Sequence, residues 1–367
     1  MAKNFALQEA ARARQDEFYT SRSDIENEMK YYKPHFKGKT VLCNCDDPYE
    51  SEFFKYFALF FNVLRLKKLI ATCYAGSPIA QRQLSLFDDE TPATSRKPYC
   101  AVIEAMKDYN GDGRTDLLDA EYILQNGVGG SLRVLEGDGD FRSPECVKLL
   151  QEADIVATNP PFSLFREFVA LLMKHNKKFI IIGSKNAVTY KEIFPLIMKN
   201  RMWLGVGFRG GNAHFRIPTY DPEKYADGVY DPESGLVNFR NVCWFTNLEH
   251  NRHNETMILV RRYHEDPSKY PHYDNYDAIE VSKVVEIPCD YDGIMGVPIT
   301  FLDKYNPKQF QILGITQRDS PLKTKVYTRN DDPKFADLNA RATIRDKDGH
   351  LRSTYARLLI RKIADFI

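Results

Sequence analysis

Between residues 39 and 184, short apolar runs recur and are separated by stretches with helical spacing. KTVLCNC (39–45), KKLIATCY (67–74), SLRVLEGD (131–138), ADIVATNP (153–160) and KKFIIIGS (177–184) each read as a strand. SEFFKYFALFFNVL, LFREFVALLMKH and YKEIFPLIMKN read as helices. Strands that alternate with helices are joined by crossovers, and the architecture this predicts is an α/β sheet, mostly parallel, with helices on both faces. Two further strand candidates are RMWLGVG (201–207) and NVCWFTNL (241–248). Between the second and third strands an insertion spans about 75–130, opening with the polar, proline-containing AGSPIAQRQLSLFDDETPATSRKP. After about residue 208 the periodicity weakens into Gly-, Pro- and Tyr-rich sequence suited to recognition loops. The last stretch, 309–367, ends in TYARLLIRKI, a basic strand candidate.

With 367 residues the chain suits two domains or one large domain with insertions. A net charge of +1 neither demands nor excludes a nucleic-acid partner, because only the local field decides that. Seven irregularly spaced cysteines argue against a disulfide framework, and Cys43 and Cys45 are too close for the usual zinc pair. The charged N-terminus has no apolar signal core, and FFKYFALFFNVL (53–64) is too short to span a bilayer and contains Lys55. The expectation is a cytoplasmic protein without a membrane partner.

One stretch invites a metal. DYNGDGRTDLLD (108–119) places Asp108, Asn110 and Asp112 at alternate positions, Gly113 at the turn and Asp119 at the end of a frame resembling an EF-hand loop, whose ligand would be Ca2+. Asp119 is shorter than the usual closing Glu, Thr115 stands where an apolar residue normally docks the loop, and no second loop is visible. A structural calcium clip, a metal-free polar turn and, more broadly, a calcium-dependent interaction module remain open.

The most informative tetrapeptide is Asn159-Pro160-Pro161-Phe162, at the end of the fourth strand. Ligands of open α/β sheets bind outside the carboxyl ends of the strands. The prolines fix the backbone, and the Asn159 side-chain carbonyl and the Pro160 carbonyl can each accept one hydrogen of an exocyclic amino group. Phe162 offers a face on which a planar ring can stack, worth about 1–3 kcal/mol per base. A proline turn with a packed Phe is the structural alternative.

DEFYT (16–20), VLCNCDDP, GDGDFRS, TNPPFSLFREFV, YDNYDAI and MGVPITFLDKYNP together resemble the EcoRI-type adenine-specific DNA methyltransferases, from about residue 16 to about 313. The resemblance implies a Rossmann-like methyltransferase fold with a mostly parallel seven-stranded sheet and S-adenosyl-L-methionine as cofactor. It implies that Asn159, Pro160 and Phe162 hold a flipped adenine. Asp140 and Phe141 would meet the cofactor's adenine, Phe18, Tyr19 and Thr20 its methionine part, and Asn44, Asp46 and Asp47 the ammonium and carboxylate, with Asn159 also against the cofactor. The turn after the first strand lacks the usual glycines, and Thr72-Cys73-Tyr74 lacks the acid that commonly holds the ribose.

Adenine in a duplex is stacked, so this chemistry requires base extrusion. Arg209, Asn212, His214 and Arg216 form the best cluster for contacts to double-stranded DNA. Gln83-Leu84-Ser85-Leu86-Phe87 matches the pentapeptide by which bacterial proteins dock on the sliding clamp. The expected organisation is a catalytic domain over 1–250 and a C-terminal region, 251–367, that completes the fold and adds DNA contacts. The reading is a monomeric, site-specific adenine-N6 DNA methyltransferase, with a cognate restriction endonuclease as a further expected partner. RNA bases or protein glutamine are alternative substrates for the same motif.

Overall fold

The computed structural model describes residues 19–45, 47–73, 98–208, 213–216, 230–231, 233–239 and 241–363. The chain divides into two compact units, Met1–Ile193 with Leu204–Glu249, and Phe194–Trp203 with His250–Ile367. In the first, the strands are β1 (Tyr19–Thr20), β2 (Thr40–Asn44), β3 (Lys68–Thr72), β4 (Tyr99–Ile103), β5 (Gly130–Val134), β6 (Ile155–Thr158) and β7 (Lys178–Ser184). They are followed by β9 (Ala213–Arg216), β10 (Tyr230–Asp231), β11 (Leu236–Phe239) and β12 (Val242–Thr246), while β8 (Trp203–Leu204) takes one residue from each unit. The helices that matter for the site are α1 (Arg22–Met29), α2 (Glu52–Leu59), α3 (Leu117–Asn126), α4 (Pro144–Glu152) and α5 (Phe165–Lys174).

The large sheet has the order β5-β4-β3-β2-β6-β7-β12-β8. Strands β2 and β6 are buried along their whole length, which is why their sequences are apolar without alternation, whereas β5 at the edge is mostly exposed. Strands β3, β2, β6 and β7 run parallel to one another. The expectation of a mostly parallel seven-stranded sheet is therefore corrected to a mixed α/β sheet. The cause is YCAVI, inside the insertion, which forms β4 and pairs antiparallel with β3, Leu69 opposite Ile103. Strand β5 then pairs antiparallel with β4, and β12 antiparallel with β7. An apolar run carries no mark of its direction, so the insertion's strand turns that flank of the sheet around.

Helix α2, with Ser51 accepting from the Phe54 N–H as its N-cap, buries Phe53, Phe54, Tyr56 and Phe57. Each such aromatic contributes about 2–3 kcal/mol by burial. The sequence-predicted longer helix stops at Leu59 and resumes as one turn, Phe61–Leu64, closed by Arg65 in the left-handed region. A second, antiparallel sheet joins distant parts of the chain in the order β1-β9-β11-β10. In it Thr20 stands opposite Phe215 and Tyr19 opposite Arg216.

In the second unit, β13 (Ile279–Glu280), β14 (Met295–Pro298), β15 (Phe310–Ile315) and β18 (Arg357–Lys362) form a sheet of order β13-β14-β18-β15. A separate hairpin is made by β16 (Thr343–Arg345) and β17 (Leu351–Ser353). Within this unit Arg357 makes a two-pronged ion pair with the buried Glu280, 2.6 Å at its shortest, and the Tyr273 hydroxyl donates to the same carboxylate. Burial alone would raise the Asp274 carboxyl, but hydrogen bonds from Lys325, Tyr327 and Arg345 outweigh it and bring the pKa down to about 2. None of the seven cysteines forms a disulfide. Among the described residues no helix is long and apolar enough to cross a membrane.

Candidate active site

Strands β2 and β6 are parallel neighbours, so their carboxyl ends open on the same rim of the sheet. Asn44 ends β2 and Asn159 follows β6, and both are buried. The Thr158 hydroxyl donates to the Asn44 backbone carbonyl and ties the two strand ends together. Pro160 is buried, Phe162 half-buried against the core, and the Pro161 carbonyl accepts the Leu164 N–H at 3.0 Å, which starts the turn leading into α5.

The turn after β2 solves its missing-glycine problem with a cysteine. Cys45 adopts φ 73°, the left-handed conformation that glycine usually fills. Asp47 follows, 3% exposed, its Oδ1 accepting from the Tyr49 N–H at 2.9 Å and from the Tyr99 hydroxyl at 2.8 Å. Burial pushes the Asp47 carboxyl above the ordinary carboxylate range, and the two hydrogen bonds only partly offset that. Burial together with the Asp47 charge raises the Tyr99 phenol. Tyr99 belongs to the unpredicted strand β4, so sequence reasoning missed it; its signal was the apolar run YCAVI directly after Pro98.

Three buried polar atoms near these turns have no hydrogen-bond partner among the described residues: Thr20 Oγ1, Asn44 Oδ1 and Tyr49 Oη. Such atoms are expensive, each costing about 1–3 kcal/mol of desolvation. Similar atoms occur elsewhere, at His175 and Ser320. What distinguishes these is that Asn44 and Tyr49 share the turn after β2, and that β1, carrying Thr20, lies against α2, which that turn leads into. A hydroxyl donor, an amide acceptor and a buried carboxylate fit a ligand carrying both an ammonium and a carboxylate group.

The GDGD turn meets the same rim. Gly139 has φ +78°, and a Cβ there would lie 2.1 Å from the Cys73 carbonyl oxygen, so only glycine lets this turn cross the end of β3. Asp140 and Phe141 follow directly. Both Asp140 oxygens receive Arg142, at 2.9 and 2.6 Å, and this hydrogen bonding holds the Asp140 carboxyl below its usual range. Phe141 is buried, edge-on to Phe168 at 5.0 Å.

Of the residues expected to contact DNA, His214 lies on β9, with its N–H and its Nδ1 at 2.9 and 3.3 Å from Asp24 Oδ2. Phe18, Asp46, Gln83, Leu84, Leu86, Phe87, Arg209 and Asn212 fall outside the described residues, and Tyr19 and Arg216 are described only as backbone.

The acidic loop closes on itself. Asp108 accepts from the Gly111 and Gly113 N–H groups at 2.7 and 2.8 Å, Asn110 from Asp112, and Asp112 from Arg114. Asp119, fully buried, accepts from Tyr109 and Asn110 through one oxygen and from Asp116 through the other. With Asp116 it forms the capping box of α3. Among the described residues the one group of acids and histidines with ligand atoms all within 4.8 Å is Asp346, Asp348 and His350, exposed and none of them a residue of this loop. Nothing in the arrangement of Asp108, Asn110, Asp112 and Asp119 supports the expected calcium site.

The family model described as adenine-specific methyltransferase EcoRI matches residues 6–363. The chain is 43% identical over 335 residues to the type II methyltransferase M.EcoRI of Escherichia coli, covering 88% of this chain and 94% of that one. It is 36% identical to the type II methyltransferase M.MpnI of Mycoplasma pneumoniae, covering 88% and 90%. To the type II methyltransferase M.MgeORF184P of Mycoplasma genitalium it is 33% identical, covering 96% and 97%. No solved structure matches the chain.

Proposed function

Since this chain belongs to the adenine-specific methyltransferase EcoRI family, we propose that it methylates the N6 amino group of an adenine extruded from duplex DNA, as the modification half of a restriction-modification pair. The observation that carries this reading is the placement of Asn159-Pro160-Pro161-Phe162 at the carboxyl end of β6, beside the Asn44 end of β2. S-adenosyl-L-methionine, bound on this rim, supplies an electrophilic methyl group. The chain's own residues do the rest. Asn159 Oδ1 and the Pro160 carbonyl accept the two amino hydrogens and turn the nitrogen lone pair toward the donor. Phe162 holds the ring by its face. No base of matched pKa is required, because the amino proton becomes acidic only once the nitrogen has been alkylated.

Asn44, Thr20 and Asp47 are the residues we assign to the amino-acid end of the cofactor, in keeping with their orphaned or buried polar atoms. Phe18, Tyr19 and Asp46 are assigned there on sequence grounds. Asp140 and Phe141 are assigned to the cofactor's adenine on sequence grounds, and Asp140 Oδ2, which accepts from Arg142 at 2.6 Å, has a second lone pair for an amino group. DNA contacts are assigned to Arg209, Asn212, His214 and Arg216. The C-terminal region, 251–367, is assigned further contacts through the exposed Lys347 and Arg352 of its hairpin. The sliding clamp, through residues 83–87, a cognate endonuclease and a monomeric state are proposed on sequence grounds alone.

The test is incubation with labelled S-adenosyl-L-methionine and duplex DNA, followed by mapping of modified bases. Label in N6-methyladenine at one short sequence is the expected result; label in RNA or protein in competition with DNA would overturn it. Asn159→Ala should lower kcat by about a hundredfold or more, the scale of losing an oriented hydrogen-bonding group at a reacting atom.

A further inference from the structure

Strand β4 runs antiparallel to β3, with Cys100 opposite Thr72, so its first residue and not its last stands at the carboxyl rim of the sheet. That residue is Tyr99. Its carbonyl accepts the Cys73 N–H at 3.2 Å, and its own N–H points to Cys73 Sγ at 3.4 Å. In the order β4-β3-β2 the strand lies two places from β2, and the buried Tyr99 side chain spans that gap. Its hydroxyl ends 2.8 Å from Asp47 Oδ1, the same oxygen that accepts the Tyr49 N–H at 2.9 Å. Both of these bonds therefore fall on one oxygen of the carboxyl group.

A buried carboxylate normally keeps a cation beside it. Among the described residues none pairs with Asp47: the groups acting on it most are Tyr99, Tyr49 and Glu50, and none of them is cationic. The ammonium of an amino-acid ligand would supply that charge. We propose that Tyr99 is a positioning residue for the cofactor: its hydroxyl, by holding Oδ1, fixes the rotation of the Asp47 carboxylate and so presents Oδ2 to the ammonium of S-adenosyl-L-methionine. This rests on the assignment of Asp47 to the amino-acid end of the cofactor made above. One bond lets a carboxylate pivot; two, one from its own turn and one from another strand, hold it in place. The insertion thereby serves the cofactor site through the first residue of β4, which acts through Asp47 and not on the reacting atoms.

Tyr99→Phe tests this, because it removes the hydroxyl and keeps the buried ring. Two ligands separate the amino-acid end from the rest: S-adenosylhomocysteine carries the ammonium, whereas methylthioadenosine has the same nucleoside and no amino acid. In calorimetric titrations of the full chain, affinity for S-adenosylhomocysteine should fall about tenfold, the loss of one charge-assisted hydrogen bond. Affinity for methylthioadenosine should stay within about twofold of wild type. The second readout is pH. Holding an ammonium needs the ionised carboxylate, and the Tyr99 hydroxyl favours that form, so the acid-side loss of S-adenosylhomocysteine affinity should move to higher pH in Tyr99→Phe. Tyr49, Glu50 and Cys73 also face Asp47, and the substitution leaves all three in place. Added to Asp47→Ala, Tyr99→Phe should cost less than about twofold more, since its effect runs through that carboxylate. If Tyr99→Phe does not fold, as judged by thermal unfolding, Tyr99→Met replaces it with the same expected split. Equal losses for the two ligands, unchanged S-adenosylhomocysteine affinity, an unmoved acid limb, or a full tenfold loss on top of Asp47→Ala would each overturn the proposal. If the wild-type chain binds neither ligand, the cofactor reading fails instead.

Discussion

The acidic loop at 108–119 and the turns at the carboxyl rim of the sheet hold similar side chains and use them in opposite ways. In the loop, the oxygens of Asp108, Asn110, Asp112 and Asp119 accept N–H groups of the loop itself. At the rim, Thr20 Oγ1, Asn44 Oδ1 and Tyr49 Oη are buried without a partner among the described residues, and Asp47 carries a carboxyl that burial has made harder to ionise. A cluster that satisfies itself builds a turn; a cluster that leaves polar atoms waiting in a buried place keeps room for a ligand.

That contrast can be broken at either end. The largest effect expected is on stability, from Asp119→Ala: three backbone N–H groups of the loop lose their acceptor, at a cost of about 2–3 kcal/mol. Chemical denaturation should detect it, and cofactor affinity should not move. Asn44→Ala should do the reverse, weakening S-adenosyl-L-methionine by about tenfold in a calorimetric titration while changing the melting temperature little. A large loss of stability with unchanged cofactor binding would make Asn44 a structural residue.

Asp47→Asn sharpens the comparison through pH. A carboxyl raised by burial stabilises the fold while protonated, and that contribution is lost as pH rises through the raised value. Without cofactor, the melting temperature of Asp47→Asn relative to wild type should therefore climb as pH rises above the ordinary aspartate range. A flat difference would mean that the ionised form costs nothing. The smallest effect is expected from calcium itself. Millimolar calcium should leave the melting temperature of the wild-type chain and of Asp112→Asn within about a degree of each other, and a clear rise in the wild type alone would restore a metal site.

The strands at 40–44, 68–72, 155–158 and 178–184 were legible because each is buried on both faces and therefore apolar along its length. Strand β4 was hidden by its setting, a short apolar run inside a long insertion, and its reversed direction has no counterpart in composition. The packing of Phe141 against Phe168 shows a related limit. Whether an aromatic at a strand end looks toward a ligand or toward Phe168 depends on helix α5, which lies further along the chain. The Asp24–His214 and Glu28–Gly207 pairs were beyond reach for the same reason, being long-range contacts between segments with no complementary pattern in the sequence.

The ladder between β1 and β9 has a consequence for synthesis. Thr20 is held opposite Phe215, so the strand proposed to meet the cofactor has no partner strand in this ladder until nearly two hundred further residues have left the ribosome. The parallel strands β2 and β3 can pair long before that. A nascent chain should thus carry the sheet's rim early and complete it late, and no methyl transfer is expected from ribosome-bound chains stalled before β9 emerges.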